Sequence, residues 1–447
     1  MDPIFTPEAL AEVGRSAAER AWAGGMTVLK PDGTVVPIPL VAEPEVMARR
    51  QLERLADESR AILSGAVKLA RALLSAGDAR DREALLGPFQ GLEAEAMGLL
   101  FTEAPQPAVV ARVDFLVPRE PGAEARALEL NATIPAMPAY ADLAAHCWLE
   151  AAARARGMPP RVARELVAAA GSHMEALRET LAAFYVARGG GRARPSIAIV
   201  ARPGDAQIGE LRRLAAHFRQ MGHDAVNLLP AECEPERYDV LYRHVWAHRT
   251  PPEAPFARAL RAPGRFVLAN PVNGLLEAKA LFARLSEAAE DARLAERAGL
   301  DAAERGAAAR LPWTRLHGPE LVPVLLADRT RFVLKRSWDY GGKSVHLGAE
   351  MEPADWEAAV RAAAADRRGG GFVAQERIFA ARRPATRVTP EGVTRGELYR
   401  DVSTYAGLGA VAPRGSVVRA AASPIVNILG GGGLAPVVPE DVYQRLA

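Results

Sequence analysis

Arg112-Val-Asp114 and Glu129-Leu-Asn131 set guanidinium, carboxylate and amide groups at strand spacing. Strand side chains alternate faces, so Arg112 and Asp114 share one side while Val113 and Phe115 take the other. By the same period Glu129 and Asn131 lie together, opposite Leu128 and Leu130. Pairing through the PREPGAE turn in a symmetric register sets Asp114 against Glu129. Two facing carboxylates destabilise a hairpin unless positive charge lies between them. Carboxylate and amide oxygens are hard donors of the kind Mg²⁺ prefers, usually beside phosphate oxygens. The same residues also read as the solvated polar face of an edge hairpin. This segment alone leaves both readings open.

Three later segments add to it. RFVLKRSWDYGGKSV begins as a strand with Phe332 and Leu334 on one side and Val333 and Lys335 on the other, then runs into Gly341, Gly342 and Lys343. Glycines let backbone N–H groups approach phosphate oxygens and lysine supplies a point charge. Alone, this is as well explained by a hairpin turn with a surface lysine; neither GxxxxGK[ST] nor a strand-linked GxGxxG is present. FVAQERI is an apolar strand turning polar at Gln375 and Glu376, which suits an adenine edge and ribose or a plain strand end. VVRAAASPIVNILGGGGLAPVV sets four glycines between apolar strands, at about 0.5–1 kcal/mol each relative to Ala in regular structure. Such a loop, flanked by strands, suits a cover over a ligand.

The elements that must carry these residues fall into three stretches. Residues 1–190 are helical in spacing, interrupted by the hairpin pattern MTVLKPDGTVVPIPL and by the acidic strand pair. A Gly-Gly-Gly-Arg-Ala-Arg-Pro boundary introduces an α/β unit over 195–275. Residues 276–447 alternate strand and helix, with RRPATRVTPEGV expected as exposed helix or loop. The expected class is α/β (α+β). A formal net charge of +2 gives no support for nucleic-acid or membrane-surface partners. No run of 18 apolar residues predicts a membrane span, and the N-terminus lacks a signal-peptide pattern. Two cysteines, Cys147 and Cys233, predict neither a disulfide framework nor a zinc site, so the expected address is the cytoplasm. His244 and His248 sit in a strand-like context that does not suit a two-His metal site.

Taken in order over most of the chain, these motifs resemble the circularly permuted ATP-grasp ligases, the group of eukaryotic-type glutathione synthetase and glutathionylspermidine synthetase. The resemblance implies an ATP-grasp scaffold with residues 1–190 as a helical region carrying the metal-binding hairpin, 195–275 as substrate domain and 276–447 as nucleotide-binding region. It implies Asp114, Glu129, Asn131 and Asp339 as Mg²⁺ ligands, and Lys279 (in NPVNGLLEAKALF), Lys335, Gly341, Gly342 and Lys343 at the ATP phosphates. Gln375, Glu376 and Ile378 fall at the adenine hinge, and Gly431 and Gly432 in the terminal loop. Arg112, Lys335 and Arg419 are implied in catalysis, and Arg243, Gln207 and Arg419 at the substrate. Ile134, Pro135 and Ala136 stand near the family's serines, and Asn427 begins a terminal loop that departs from its Asp-Gly-Gly pattern. The substrate side has therefore diverged from glutathione.

The expected reaction joins a small-molecule carboxylate (an amino acid or peptide) to an amine through an acyl phosphate, with ATP and Mg²⁺, in a group often homodimeric. The rival expectations are phosphorylation without ligation, a catalytically inactive nucleotide-binding protein on the same scaffold, and an unrelated sugar- or peptide-binding α/β protein.

Overall fold

The structure, a computed structural model, describes residues 4–76, 79–97, 99, 108–120, 122–339, 342–412 and 415–447. The N-terminal pattern forms a helix, Pro7–Ala23, started by Thr6, whose hydroxyl accepts the Ala9 N–H, and by a proline in its first turn. The KPDGT turn closes a hairpin of β1 (Thr27–Leu29) and β2 (Val35–Pro37). Next come β3 (Leu40–Val41), β4 (Glu45–Met47) and the long helix Arg49–Ala76. β5 (Val110–Leu116) and β6 (Arg126–Asn131) then pair antiparallel with Asp114 opposite Glu129 and a register shift after Asp114.

β7 (Ile197–Ala201), β8 (Ala225–Leu228), β9 (Val240–His244) and β10 (Leu268–Ala269) form a parallel sheet in the order β10-β9-β7-β8. The helix Ile208–Gln220 makes the crossover that β7 and β8 require to run parallel. Next, β11 (Thr314–Leu316), β12 (Phe332–Arg336), β13 (Val345–Leu347) and β14 (Phe372–Glu376) form an antiparallel sheet in the order β11-β14-β12-β13. Phe332 and Leu334 of β12 pack against Leu325, Trp356 and Val360, which leaves Val333 and Lys335 on the opposite face.

β15 (Arg382–Thr389), β16 (Gly392–Gly407), β17 (Ser416–Ala421) and β18 (Gly433–Ala435) join β3, β5 and β6 in a seven-stranded sheet, and β19 (Val437–Pro439) pairs with β4. The first half of β16 pairs with β15 and its second half with β5; β15 also pairs with β3, so the sheet curls back on itself. RRPATRVTPEGV is therefore strand and turn, not exposed helix or loop. Among its arginines it buries Thr386 and Val388 on one face and Ala385 on the other. Pro384 is exposed and lies where β15 has β16 alone beside it, an edge position that tolerates a residue with no N–H. This sheet draws strands from both ends of the chain. Among the described residues no helix is long and apolar enough to cross a membrane.

Candidate active site

The seven-stranded sheet and the β11–β14 sheet face each other across a cavity of about 370 Å³, within the range of small-molecule sites. Its first wall is one face of β6, β5, β16 and β17. Because side chains on alternate positions share a face, the ladder brings Glu129, Asn131, Arg112, Asp114, Asp401 and Arg419 to the same side. The second wall is Val333 and Lys335 of β12 with Gln375 and Glu376 of β14. Glu129 and Lys335, 206 positions apart by number (335 − 129), line one cleft.

The acid pair Asp114–Glu129 is tolerated because each member has cations of its own. Arg112 grips Asp114 with Nε at 2.7 Å and Nη2 at 3.0 Å, while Arg419 Nη2 donates at 2.8 Å and Asn131 Nδ2 at 3.2 Å. Burial opposes the Asp114 charge, but the two guanidinium groups outweigh it and hold the carboxyl far below the usual range. Four N–H donors, from Arg112, Arg419 and Asn131, thus meet the two oxygens of Asp114, one of the expected Mg²⁺ ligands. Glu129 lies 3.5 Å from Lys279 Nζ. Burial works against its charge too, yet Lys279 and Lys335 lower its pKa on balance. Asn131 gives its amide nitrogen to Asp114, which leaves its carbonyl oxygen as an acceptor.

Lys279 is the first residue of the helix Lys279–Glu287. Its backbone N–H donates to Ser337 O at 3.0 Å, and the next N–H to Ser337 Oγ at 3.0 Å, so Ser337, just past β12, ties the helix start to that strand. From there Lys279 Nζ reaches the Asp339 carbonyl at 2.9 Å. The Asp339 carboxylate accepts from Ser344 Oγ at 2.8 Å, so one lysine joins the neighbourhoods of Glu129 and Asp339. Lys335 donates to Gln375 Oε1 at 2.7 Å. Burial, with Lys279 nearby, lowers its pKa to about 8. Gln375 lines the cavity, but its amide is engaged by Lys335, by Leu128 O at 3.3 Å and by Thr314 Oγ1 at 3.1 Å; it is a support for the lysine. Glu376 faces Arg331 and Arg126 at 3.4 and 3.6 Å.

Gly342, Lys343 and Ile378 also line the cavity, whereas Gly341 lies outside the described residues. Four expected residues are placed elsewhere. Gly431 and Gly432 do not line the cavity; they form the turn that presents Pro424, Ile425, Val426 and Asn427 to it. Gly431 has φ +93°, and a Cβ on Gly432 would stand 2.6 Å from Asn427 O, so glycine serves the turn geometry. Arg243 is fully buried, donating to the carbonyls of Asn270, Val245 (2.7 Å) and Pro271 (2.8 Å) and to Asn273 Oδ1 (2.8 Å). Gln207 is the residue before the helix Ile208–Gln220, its N–H bonded to Asp205 at 2.8 Å.

Sequence reasoning missed Asp401, Trp246, Trp338 and Glu277. Asp401 and Ser403 alternate with apolar Val402 on β16, a period-2 signal equal to that of Arg112 and Asp114. Trp338 packs edge-on against Trp246 (5.0 Å between centroids) and Phe89 (4.7 Å), an assembly of three distant segments with no local signature. Burial raises the Glu277 carboxyl to about 7 despite the Thr133 and Ala132 N–H groups it accepts. Among the described residues no group of three or more His, Cys, Asp or Glu is arranged to hold a metal; the oxygen set here is two carboxylates and one amide, Glu129, Asp339 and Asn131.

No protein-family model matches the chain, and no curated protein matches it. Solved structures do. A glutathione synthetase-like effector from Globodera pallida, in its apo form, matches with a TM-score of 0.64, covering 97% of this chain and 98% of that one at 13% identity. The chain has a glutathione synthetase-like α+β fold. At that identity the likeness is one of fold, and the chemistry must be argued from the cavity.

Proposed function

We propose that the chain is an ATP-dependent ligase of the circularly permuted ATP-grasp type, joining a small-molecule carboxylate to an amine. The observation that carries this reading is the meeting of Glu129 and Asn131 from the first half of the chain with Lys279, Lys335 and Asp339 from the second in one cavity. Two lysines facing carboxylate and amide oxygens suit a polyphosphate with its divalent cation. In this reading residues 276–447 supply most of the nucleotide site, 195–275 stand as a substrate domain, and the hairpin within 1–190 completes the core.

The donor set fits Mg²⁺, which takes one or two carboxylates and fills its remaining positions with water and phosphate oxygens. Glu129, Asn131 and Asp339 would hold it, and when bound it supplies charge neutralisation at the phosphates. Lys279 and Lys335 hold phosphate oxygens, and Arg112, fixed by Asp114, faces the transferred group. A substrate carboxylate oxygen bonds to the γ-phosphorus of ATP as the bond to ADP breaks, giving an acyl phosphate. The amine nitrogen then bonds to the acyl carbon, loses a proton and releases phosphate. The Pro424–Asn427 segment excludes water, which would otherwise hydrolyse the acyl phosphate.

ADP release measured against pooled amino acids, dipeptides and polyamines tests the reading. Turnover should need Mg²⁺ and vanish in Glu129→Gln while that variant keeps its melting temperature within a few degrees. Wild-type-like turnover in Glu129→Gln removes the metal assignment, and amine-independent phosphoryl product without amide removes ligation.

A further inference from the structure

Arg112, Asp114, Arg419 and Asp401 alternate in charge along the cavity wall. Arg419 stands directly opposite Asp401 in the β16–β17 ladder. Its Nε lies 3.1 and 3.0 Å from the two Asp401 oxygens, its Nη2 reaches Asp401 Oδ2, and its backbone N–H donates to Oδ1 at 3.3 Å. This is how a guanidinium fork takes a carboxylate, and here the carboxylate belongs to the chain. Asp401 is only 3% exposed, and an incoming carboxylate would have to strip a buried anion of its partner, which is strongly unfavourable. Other cations around the cavity have acids too: Lys279 faces Glu129, Arg336 pairs with Asp366 at 2.9 Å and Arg377 with Glu350 at 2.7 Å.

We propose that Asp401 is a specificity determinant: it fills the carboxylate position on Arg419, so the substrate seated at this end presents an amine with no carboxylate beside it. The inference rests on the ligase reading and names the class of its amine substrate. It also replaces the expectation that Arg419 holds a substrate carboxylate. With Arg419 neutralised by Asp401 and Asp114, this wall offers no unpaired cation to the carboxylate of an amino acid, whereas an amine or amide that carries no carboxylate needs none.

Matched pairs test it: glycinamide against glycine and 1,3-diaminopropane against β-alanine, on the full chain with Mg-ADP, with binding read by saturation-transfer NMR. The carboxylate-free member should bind wild type at least tenfold more tightly. Asp401→Asn should narrow that ratio to threefold or less by gaining affinity for glycine and β-alanine, and Asp401→Glu, which still fills Arg419, should keep it. Asp401→Ser takes the place of Asn if the latter fails to fold. Equal binding of both members, no binding of either amine, or an unchanged ratio in the folded variant overturns the proposal. ADP release with the same pairs is a separate readout: a binding preference without turnover sinks the ligase reading and leaves the subsite standing.

Discussion

Burial and the neighbouring Lys279 bring Lys335 to a pKa of about 8, well below the 10.5 of a free lysine. The protonated form is what a phosphate needs, so affinity for ATP should be flat below pH 8 and fall above it. Fluorescence titration of a nucleotide analogue should show about a tenfold loss per pH unit beyond that point, and Lys335→Arg should hold affinity to higher pH. The stability linkage has the opposite sense. Between pH 8 and 10.5 the unfolded chain binds the extra proton, so stability should rise with pH across that window, by up to about 3 kcal/mol before other groups intervene. Arg243 gives a second prediction at this scale. Its donors all serve protein acceptors, so Arg243→Ala should cost about 3–5 kcal/mol of stability, because several carbonyls lose a charged partner at once. A variant that folds normally and merely raises KM would restore Arg243 to the substrate.

At the scale of elements, the turn Asn427–Gly432 decides how the cavity is covered. Gly432 N–H closes it on Asn427 O at 3.0 Å, and Arg387 holds Gly431 O at 2.9 Å. A Cβ on Gly432 would also meet Ala420 O at 3.1 Å. Gly432→Ala should therefore cost about 1–3 kcal/mol in chemical denaturation, since backbone must shift to admit the methyl group. It should also raise the share of ADP release that yields no amide, by displacing Pro424–Asn427 and admitting water to the acyl phosphate. A Cβ on Gly342 would stand 2.6 Å from Ile425 Cγ2, so the glycine loop after β12 and this turn meet over the same space. The four glycines suggest a cover in the sequence, and the cavity lining itself is Pro424–Asn427. That Gly431 and Gly432 shape a turn behind it depends on Asn427, which begins the same loop, and on Arg387, which no local pattern connects to them.

At the scale of the molecule, the cavity exists because the seven-stranded sheet takes strands from residues 40–131 and from 382–435. Asn273 is one of the pins: it accepts from Arg243 at 2.8 Å and donates to Ala132 O at 2.7 Å, linking the parallel sheet to the end of β6. Glu210 is another, accepting the Met137 and Ala139 N–H groups at 3.0 and 3.1 Å where Met137 turns to φ +92°. Glu210→Ala should destabilise by about 2–3 kcal/mol, leaving two buried donors unmet, and thermal melting would show it as one cooperative loss if these sheets unfold together.

Period-2 alternation by itself set the polar faces of β5, β6 and β12, and so selected Arg112, Asp114, Glu129, Asn131 and Lys335 before any coordinates. Strand side chains must alternate, and buried apolar neighbours leave the polar ones a single direction. Tertiary structure alone decided which of them are spent on one another. Asp114 is occupied by Arg112, Arg419 and Asn131, Gln375 by Lys335, Leu128 and Thr314, and Arg419 by Asp401 and Asp114, because hydrogen-bond capacity is used up by whatever arrives through space. Spacing along a chain records direction, and it carries no account of the partners that another strand brings alongside.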